Sequence, residues 1–354
     1  MPHPILKSDI PQTGRYRKAM VFALALLCAT KIVAAQDTPL LSGGVAFFHS
    51  TSGGSTDFTP VIEPLLAAPI GQHLFIESRA TLLETWLPKG NGQSGDDHIH
   101  FIGLNYLSGD FLINRHLTLV AGSYLVPFAS YNERLSPIWI NNFQDTPLIA
   151  SLGVNTGTGL GGMARGSVVS HEKYSVDYTA FYSTRSNNLQ FPADREFGGR
   201  VNLYLPVQRL EVGFSYDRVL QGVHENFYGV HVWWEPKDTA LRLRSEFTSG
   251  QHADGYWVEA DYRLQRFGGP DSVIGRFEPV FRMQQTFRRD NVASDGLLPV
   301  DVQRADFAID YNLPHNTRIL TSYGRQFAST GDHNVWETGI VYRFLFPAWR
   351  AKDK

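Results

Sequence analysis

The sequence predicts an all-β fold, a transmembrane antiparallel β-barrel of about 16 strands, and three observations carry that prediction. After Gln36, apolar and polar residues alternate at period two over most of the chain, as side chains do on a strand whose two faces meet different surroundings. Many of these runs exceed the roughly 5–6 residues of an ordinary soluble strand and reach the roughly 9–11 that cross a bilayer at a tilt. Composition agrees, with 23 Phe, 15 Tyr and 32 Gly against 4 Met and 1 Cys. Aromatics favour strands, and glycine supplies turns and bulges.

The chain opens with an export pattern. Arg15, Arg17 and Lys18 precede an apolar run from Ala19 to Ala29, and Val33-Ala34-Ala35 fits small-residue cleavage before Gln36. A run of about 11 residues is too short for a bilayer that needs about 20, so residues 1–35 read as a signal peptide rather than an anchor or a buried helix. Cys28 lies inside it, and Leu27 stands where lipid attachment wants a small residue. Cleavage would leave no cysteine, and therefore a chain held by its sheet without disulfides. Residues 1–35 hold five Lys/Arg and one acid, so 27 basic and 33 acidic residues remain, a net of −6. No basic stripe points to nucleic acid, and a mean hydropathy of −0.20 excludes a bundle of membrane helices.

The barrel itself is expected over 36–346, with 347–354 as a polar tail. Its strands are read at 41–50, 58–68, 73–85, 97–108, 115–127, 156–169, 173–185, 194–205, 208–218, 224–235, 239–249, 254–266, 273–287, 300–312, 316–328 and 333–346. In 256–264, Tyr256, Val258 and Tyr262 face one way and Trp257, Glu259 and Asp261 the other. In 273–287, Phe277, Phe281, Met283 and Phe287 oppose Arg276, Glu278, Arg282 and Gln284. In 302–313, Phe307, Ile309 and Tyr311 oppose Arg304, Asp306 and Asp310. Turn-like links such as Ile70-Gly71-Gln72 and Pro314-His315 alternate with long or Gly/Ser-rich loops near 50–57, 86–96, 128–155, 186–193 and 288–298, the two-ended layout of an outer-membrane barrel.

A soluble sandwich would also alternate. The strand length, the absence of helix down to the last dozen residues and the Tyr/Phe-rich apolar face favour the membrane. A barrel this wide cannot be filled by its wall side chains, so its charged face would line water. The lumen-lining candidates are then Arg242, Arg244 and Glu246; Glu259 and Asp261; Arg276, Glu278 and Arg282; Arg304 and Asp306; and Arg343. Mixed signs at close spacing form neutralising ladders more readily than a selective field.

The last strand sets Trp336, Thr338, Ile340, Tyr342, Phe344 and Phe346 against Glu337, Gly339 and Arg343. Its aromatic close resembles the terminal assembly signal of bacterial outer-membrane proteins, although Pro347 to Lys354 follow where that family usually stops. The segments Gly122-Ser123-Tyr124-Leu125-Val126-Pro127-Phe128, Gly157-Thr158-Gly159-Leu160-Gly161-Gly162, Leu243-Arg244-Ser245-Glu246-Phe247, Gly255-Tyr256-Trp257 and Phe277-Glu278-Pro279-Val280-Phe281-Arg282 resemble the general porins, and more particularly the phosphate-selective porin group and its relatives. The resemblance implies that 128–155, the third loop on the long-loop side, folds into the lumen. It also implies that Glu133, Arg134 and Asp145 are constriction candidates, and that the protein is a homotrimer. Phosphate selectivity does not carry over, because no lysine lies in 128–155.

Other chemistry finds little footing. His98 and His100 share a strand face near Asp96 and could ligate a metal, but a solvated strand start explains them better. No G-x-S-x-G, Walker or H-E-x-x-H motif is present, and the glycines of 157–162 keep a strand rhythm, which suits close backbone packing. The expectation is a non-enzymatic porin, without metal or cofactor, in the outer membrane of a Gram-negative-type bacterium. It would contact outer-membrane lipid and lipopolysaccharide and pass small hydrophilic solutes. A closed ligand-binding or adhesion barrel, or less readily an outer-membrane enzyme, would share the same strands.

Overall fold

The computed structural model describes residues 38–88, 97–152, 157–222, 224–290 and 297–347; the expected signal peptide, Asp96 and the tail beyond Pro347 lie outside them. Sixteen antiparallel strands close into one barrel. They are β1 (Leu40–Ser52), β2 (Ser55–Ile70), β3 (Leu74–Leu87), β4 (Asp97–Asn114), β5 (Leu117–Leu125), β6 (Thr158–Ser170), β7 (Ser175–Ser183), β10 (Glu196–Leu205), β11 (Leu210–Val219), β12 (Glu225–Trp234), β13 (Leu241–Ser249), β14 (Ala253–Tyr262), β15 (Phe277–Arg288), β16 (Val302–Leu313), β17 (Thr317–Ala328) and β18 (His333–Pro347). A small hairpin, β8 (Ser186–Asn188) with β9 (Phe191–Ala193), forms a separate two-stranded sheet that touches β6, where Thr158 donates to the Pro192 carbonyl at 2.8 Å. Each barrel strand pairs with its sequence neighbours, and β1 closes on β18 from Leu40↔Pro347 to Ser52↔Val335. No sheet edge is left among the barrel strands, which is what a hydrocarbon surrounding demands.

Alternation along these strands puts charge inside and apolar side chains outside. On β14, Trp257 is 1% exposed while Val258 is 42%. On β15 and β16, Phe281 and Phe307 sit directly opposite each other on the outer face, at 48% and 50% exposure, while Glu278 and Arg282 beside them are buried. A water-soluble sheet does the reverse. A wall that turns Phe, Tyr and Leu outward and Glu, Asp and Arg inward is stable only where the outside solvent is apolar.

Three expected details are corrected. The loop near 50–57 is a two-residue turn: β1 and β2 stay paired up to Ser52↔Ser55, and Gly53 and Gly54 take φ of 57° and 83°, a left-handed conformation glycine adopts without strain. Arg276 is off the wall, in a 3-10 turn Ile274–Arg276, with β15 starting at Phe277. The predicted strand 254–266 stops at Tyr262, and a short helical turn Gln265–Gly268 follows.

Placing a guanidinium at the Phe281 position would force it into the apolar belt. The Phe281→Arg variant is expected to lose about 2–4 kcal/mol of folding stability in lipid vesicles, read from urea titration of reversible folding.

Candidate functional site

The chain leaves the wall at Leu125 and returns at Thr158, and the segment between is the functional candidate. It is apolar enough to bury itself: Val126, Phe128, Ala129, Tyr131 and Phe143 are each 0–2% exposed. Tyr131–Leu135 forms a π-type turn and Leu148–Ser151 a 3-10 turn. The first turn is capped by the wall rather than by its own side chains. Glu246 on β13 accepts the N–H groups of Ser130 (2.9 Å) and Tyr131 (3.0 Å), so a carboxylate sits at the positive end of the turn. Burial pushes the Tyr131 hydroxyl up to about 12 despite Arg282 and Asn141 nearby, so it stays neutral.

From there the segment is tied to wall after wall. Ser215 (β11) accepts the N–H of Ala129 at 2.9 Å. Arg200 (β10) donates to the Ala129 carbonyl at 2.5 Å and to Glu133 at 2.6 Å. Arg79 (β3) donates to Ser136 at 2.9 Å, and the N–H of Ile138 reaches Glu63 (β2) at 3.1 Å. Asn142 donates to Glu259 (β14) at 3.1 Å and accepts from Arg318 (β17) at 3.1 Å. Arg282 and Gln284 (β15) meet the Asp145 carbonyl and the N–H of Leu148. Partners on β2, β3, β10, β11 and β13–β17 belong to opposite sides of a closed ring, so the segment lies across the lumen.

Wall glycines make room for it. A Cβ at Gly44 would stand 2.9 Å from the Trp139 ring, one at Gly229 2.9 Å from Phe128, and one at Gly255 2.7 Å from Ile149. Ile138 and Trp139 thereby pack on the Ala46–Val61–Leu320–Val341 cluster of the far wall. At the segment's root, Gly159 leaves space for the Tyr124 ring and Gly161 for the backbone of Tyr182, the close packing expected of that glycine run.

Of the constriction candidates, Glu133 faces open lumen space while paired to Arg200. Arg134 is drawn the other way, to Glu211 at 2.8 Å, with its guanidinium 5.8 Å from the Trp233 ring centroid. Asp145 pairs with Arg304 at 2.7 Å. Desolvation raises its pKa, but Arg304, a hydrogen bond with Glu337 and the nearby Arg282 together outweigh this and hold it below the ordinary 3.8. The three are therefore spread along the segment, not gathered in one eyelet.

The lumen-lining candidates on β13–β16 form a dense ionic lattice. Arg244 and Arg282 share Glu259, Arg242 bridges Asp261 (2.8 Å) and Glu278 (3.3 Å), and Arg304 holds Asp306 (2.6 Å). Arg244, Glu246, Glu259, Asp261, Glu278, Arg282, Arg304 and Asp306 are all buried. Arg343 lies exposed near the rim, and Arg276 sits off the wall. His98 pairs with Glu84 at 2.5 Å and stacks on Trp86, and no group of three His, Cys, Asp or Glu is arranged for a metal among the described residues.

Open space remains on the side of β3–β6. A cavity of about 190 Å³ there is lined by Glu77, Tyr106, Ser108, Asp110, Val120, Tyr124, Leu125, Glu133, Met163 and Arg165. Tyr106 donates to Glu77, and Arg165 pairs with Asp110. The sequence candidates missed Glu77, Asp110 and Arg165. Their inward parity is present in the sequence, but the Gly/Ser-rich run around Arg165 has no regular apolar face to mark it, and one extra residue on β4 opposite Arg79/Ala80 shifts the alternation before Asp110.

The fold has known counterparts. An anion-selective porin from Comamonas acidovorans superposes with a TM-score of 0.56 at 11% identity, covering 87% of this chain and all of that one. The OmpF of Salmonella typhi, solved with daunomycin, gives 0.59 at 11% identity over 88% of this chain and 99% of its own. The outer-membrane protein OmpT of Vibrio cholerae, in a trimer form, gives 0.53 at 9% identity over 87% of this chain and all of its own. At such identities the likeness establishes a porin-type barrel fold. No family model matches the chain, and no curated protein matches it in sequence.

Replacing Glu246 by Ala strands two buried N–H groups at about 1–3 kcal/mol each. The Ser130 and Tyr131 amides of Glu246→Ala should lose their hydrogen-exchange protection while amides of β14–β17 keep theirs.

Proposed function

We propose that the protein is an outer-membrane porin that lets small hydrophilic solutes or ions diffuse passively through its barrel, with the segment that follows β5 narrowing the path to a crescent against β3–β6. The observation that carries this reading is the inverted wall. Its outward apolar face suits lipid and its inward charged face suits water, while the crossing segment blocks most of the lumen and leaves the cavity beside Glu133. Transport down a gradient needs no catalytic group.

Glu133 is the constriction residue we retain as facing the path. Arg134 and Asp145 act as tethers of the segment, and the β13–β16 charges as the lattice it rests on. The outer face would contact outer-membrane lipid, with lipopolysaccharide at the loop end. We propose a homotrimer on the porin resemblance, in line with the trimer form of the Vibrio protein. The likeness to the phosphate-selective group is one of chain pattern and not of solute, since the cavity presents three carboxylates and one guanidinium.

A closed ligand-binding barrel is the rival, and conductance separates the two. Purified mature protein in planar bilayers should give stepwise single-channel openings; folded protein that never conducts contradicts the pore. Deleting residues 131–145 should raise the unit conductance roughly twofold or more, as the lumen of a barrel this wide is otherwise open. An unchanged conductance would remove the segment from the path.

A further inference from the structure

The space left along β3–β6 is bordered by more negative than positive charge. Glu77, Asp110 and Glu133 line it, against Arg165. Arg165 is already paired with Asp110, and the partner of Glu133, Arg200, is buried behind the crossing segment. Glu77 receives the neutral hydroxyl of Tyr106 and pairs with no basic side chain among the described residues. The lining thus carries a net negative charge.

Glu196 on β10 and Asp217 on β11 lie inward at 4% and 0% exposure and pair with no basic side chain among the described residues, so a proton shared within the pair keeps it from adding to this charge. A carboxylate pair held away from water without a countercharge is costly unless a cation or a proton compensates it. The lattice on β13–β16, by contrast, neutralises itself away from the cavity and adds no cationic wall to oppose this field.

We propose that the passage selects cations over anions, with Glu77, Asp110 and Glu133 as the residues that set the preference. This deepens the pore reading and rests on it. A hydrated monovalent cation moving along the β3–β6 wall exchanges part of its water for these carboxylate oxygens, whereas an anion of the same size meets one guanidinium that Asp110 already neutralises.

The test is the reversal potential of the full mature barrel in uncharged planar bilayers under an about tenfold potassium chloride gradient. The expected sign is that of potassium, with a potassium-to-chloride permeability ratio above about 3. Glu77→Gln should lower that ratio roughly twofold and Arg165→Gln should raise it roughly twofold. A channel that conducts but reverses near zero or toward chloride overturns the cation preference and leaves the pore standing. So do variants that leave the ratio unmoved. Folded protein without any conductance overturns the pore reading itself. If a variant fails to give a folded barrel, the sign for the unaltered chain decides alone.

Discussion

In hydrocarbon an unpaired backbone N–H or C=O has no water to turn to, and the pairing of β1 with β18 removes the last such edge from this wall. Everything else follows from that closure. A closed sheet of sixteen strands has an inside too wide for its own side chains to fill, so something must decide whether the interior stays open. The period-two strand then fixes the chemistry: one face is committed to lipid, and the other must be polar or be covered.

Here much of the inner face is covered. The segment after β5 crosses to the far wall and lies against β13–β17, where it is met by groups that would otherwise be orphaned. Glu246 takes two N–H groups, Gln284 takes one, and Arg282 and Arg318 donate to segment carbonyls. These exchanges matter because buried polar groups are costly when unpaired; the arginine–carboxylate lattice beneath is stable as a set and would be strained by losing one member. The segment and the lattice therefore hold each other, while on the β3–β6 side the segment is held by the Arg79–Ser136 contact and by an apolar cluster with Val120, Tyr124 and Met163.

The barrel was readable from the sequence wherever one strand face is uniformly apolar. Tyr256/Val258 against Trp257/Glu259, and Phe307/Ile309 against Asp306/Asp310, declare both the strand and its sidedness. Reading failed where composition misled or where partners are remote. The Gly/Ser-rich stretch around Gly53 looks like a loop, yet its flanks pair to the tip. Arg276 continues an alternating pattern into what is a turn. Gly44, Gly229 and Gly255 give no local sign that they receive Trp139, Phe128 and Ile149. Glu77, Asp110 and Arg165 come from three strands and meet only through the register of β3 to β6, which no local pattern declares. Glu133, Arg134 and Asp145 were found as charges in an apolar segment, but their divergent partners are long-range and carry no local signature.

The central claim is that the crossing segment seals the β13–β17 side and leaves the path along β3–β6. Cys28 is the single cysteine of the chain and lies before the barrel, so the mature protein can report through introduced thiols. Ser108 and Ser322 are equally shielded, at 8% and 7% exposure, but Ser108 lines the cavity, whereas Ser322 on β17 is hydrogen-bonded to Glu337 on the side the crossing segment covers. A small charged thiol reagent added to the open channel should react with Ser108→Cys and cut its current, and should leave Ser322→Cys unmodified. Equal reaction at both positions, or faster reaction at Ser322→Cys, would contradict the account.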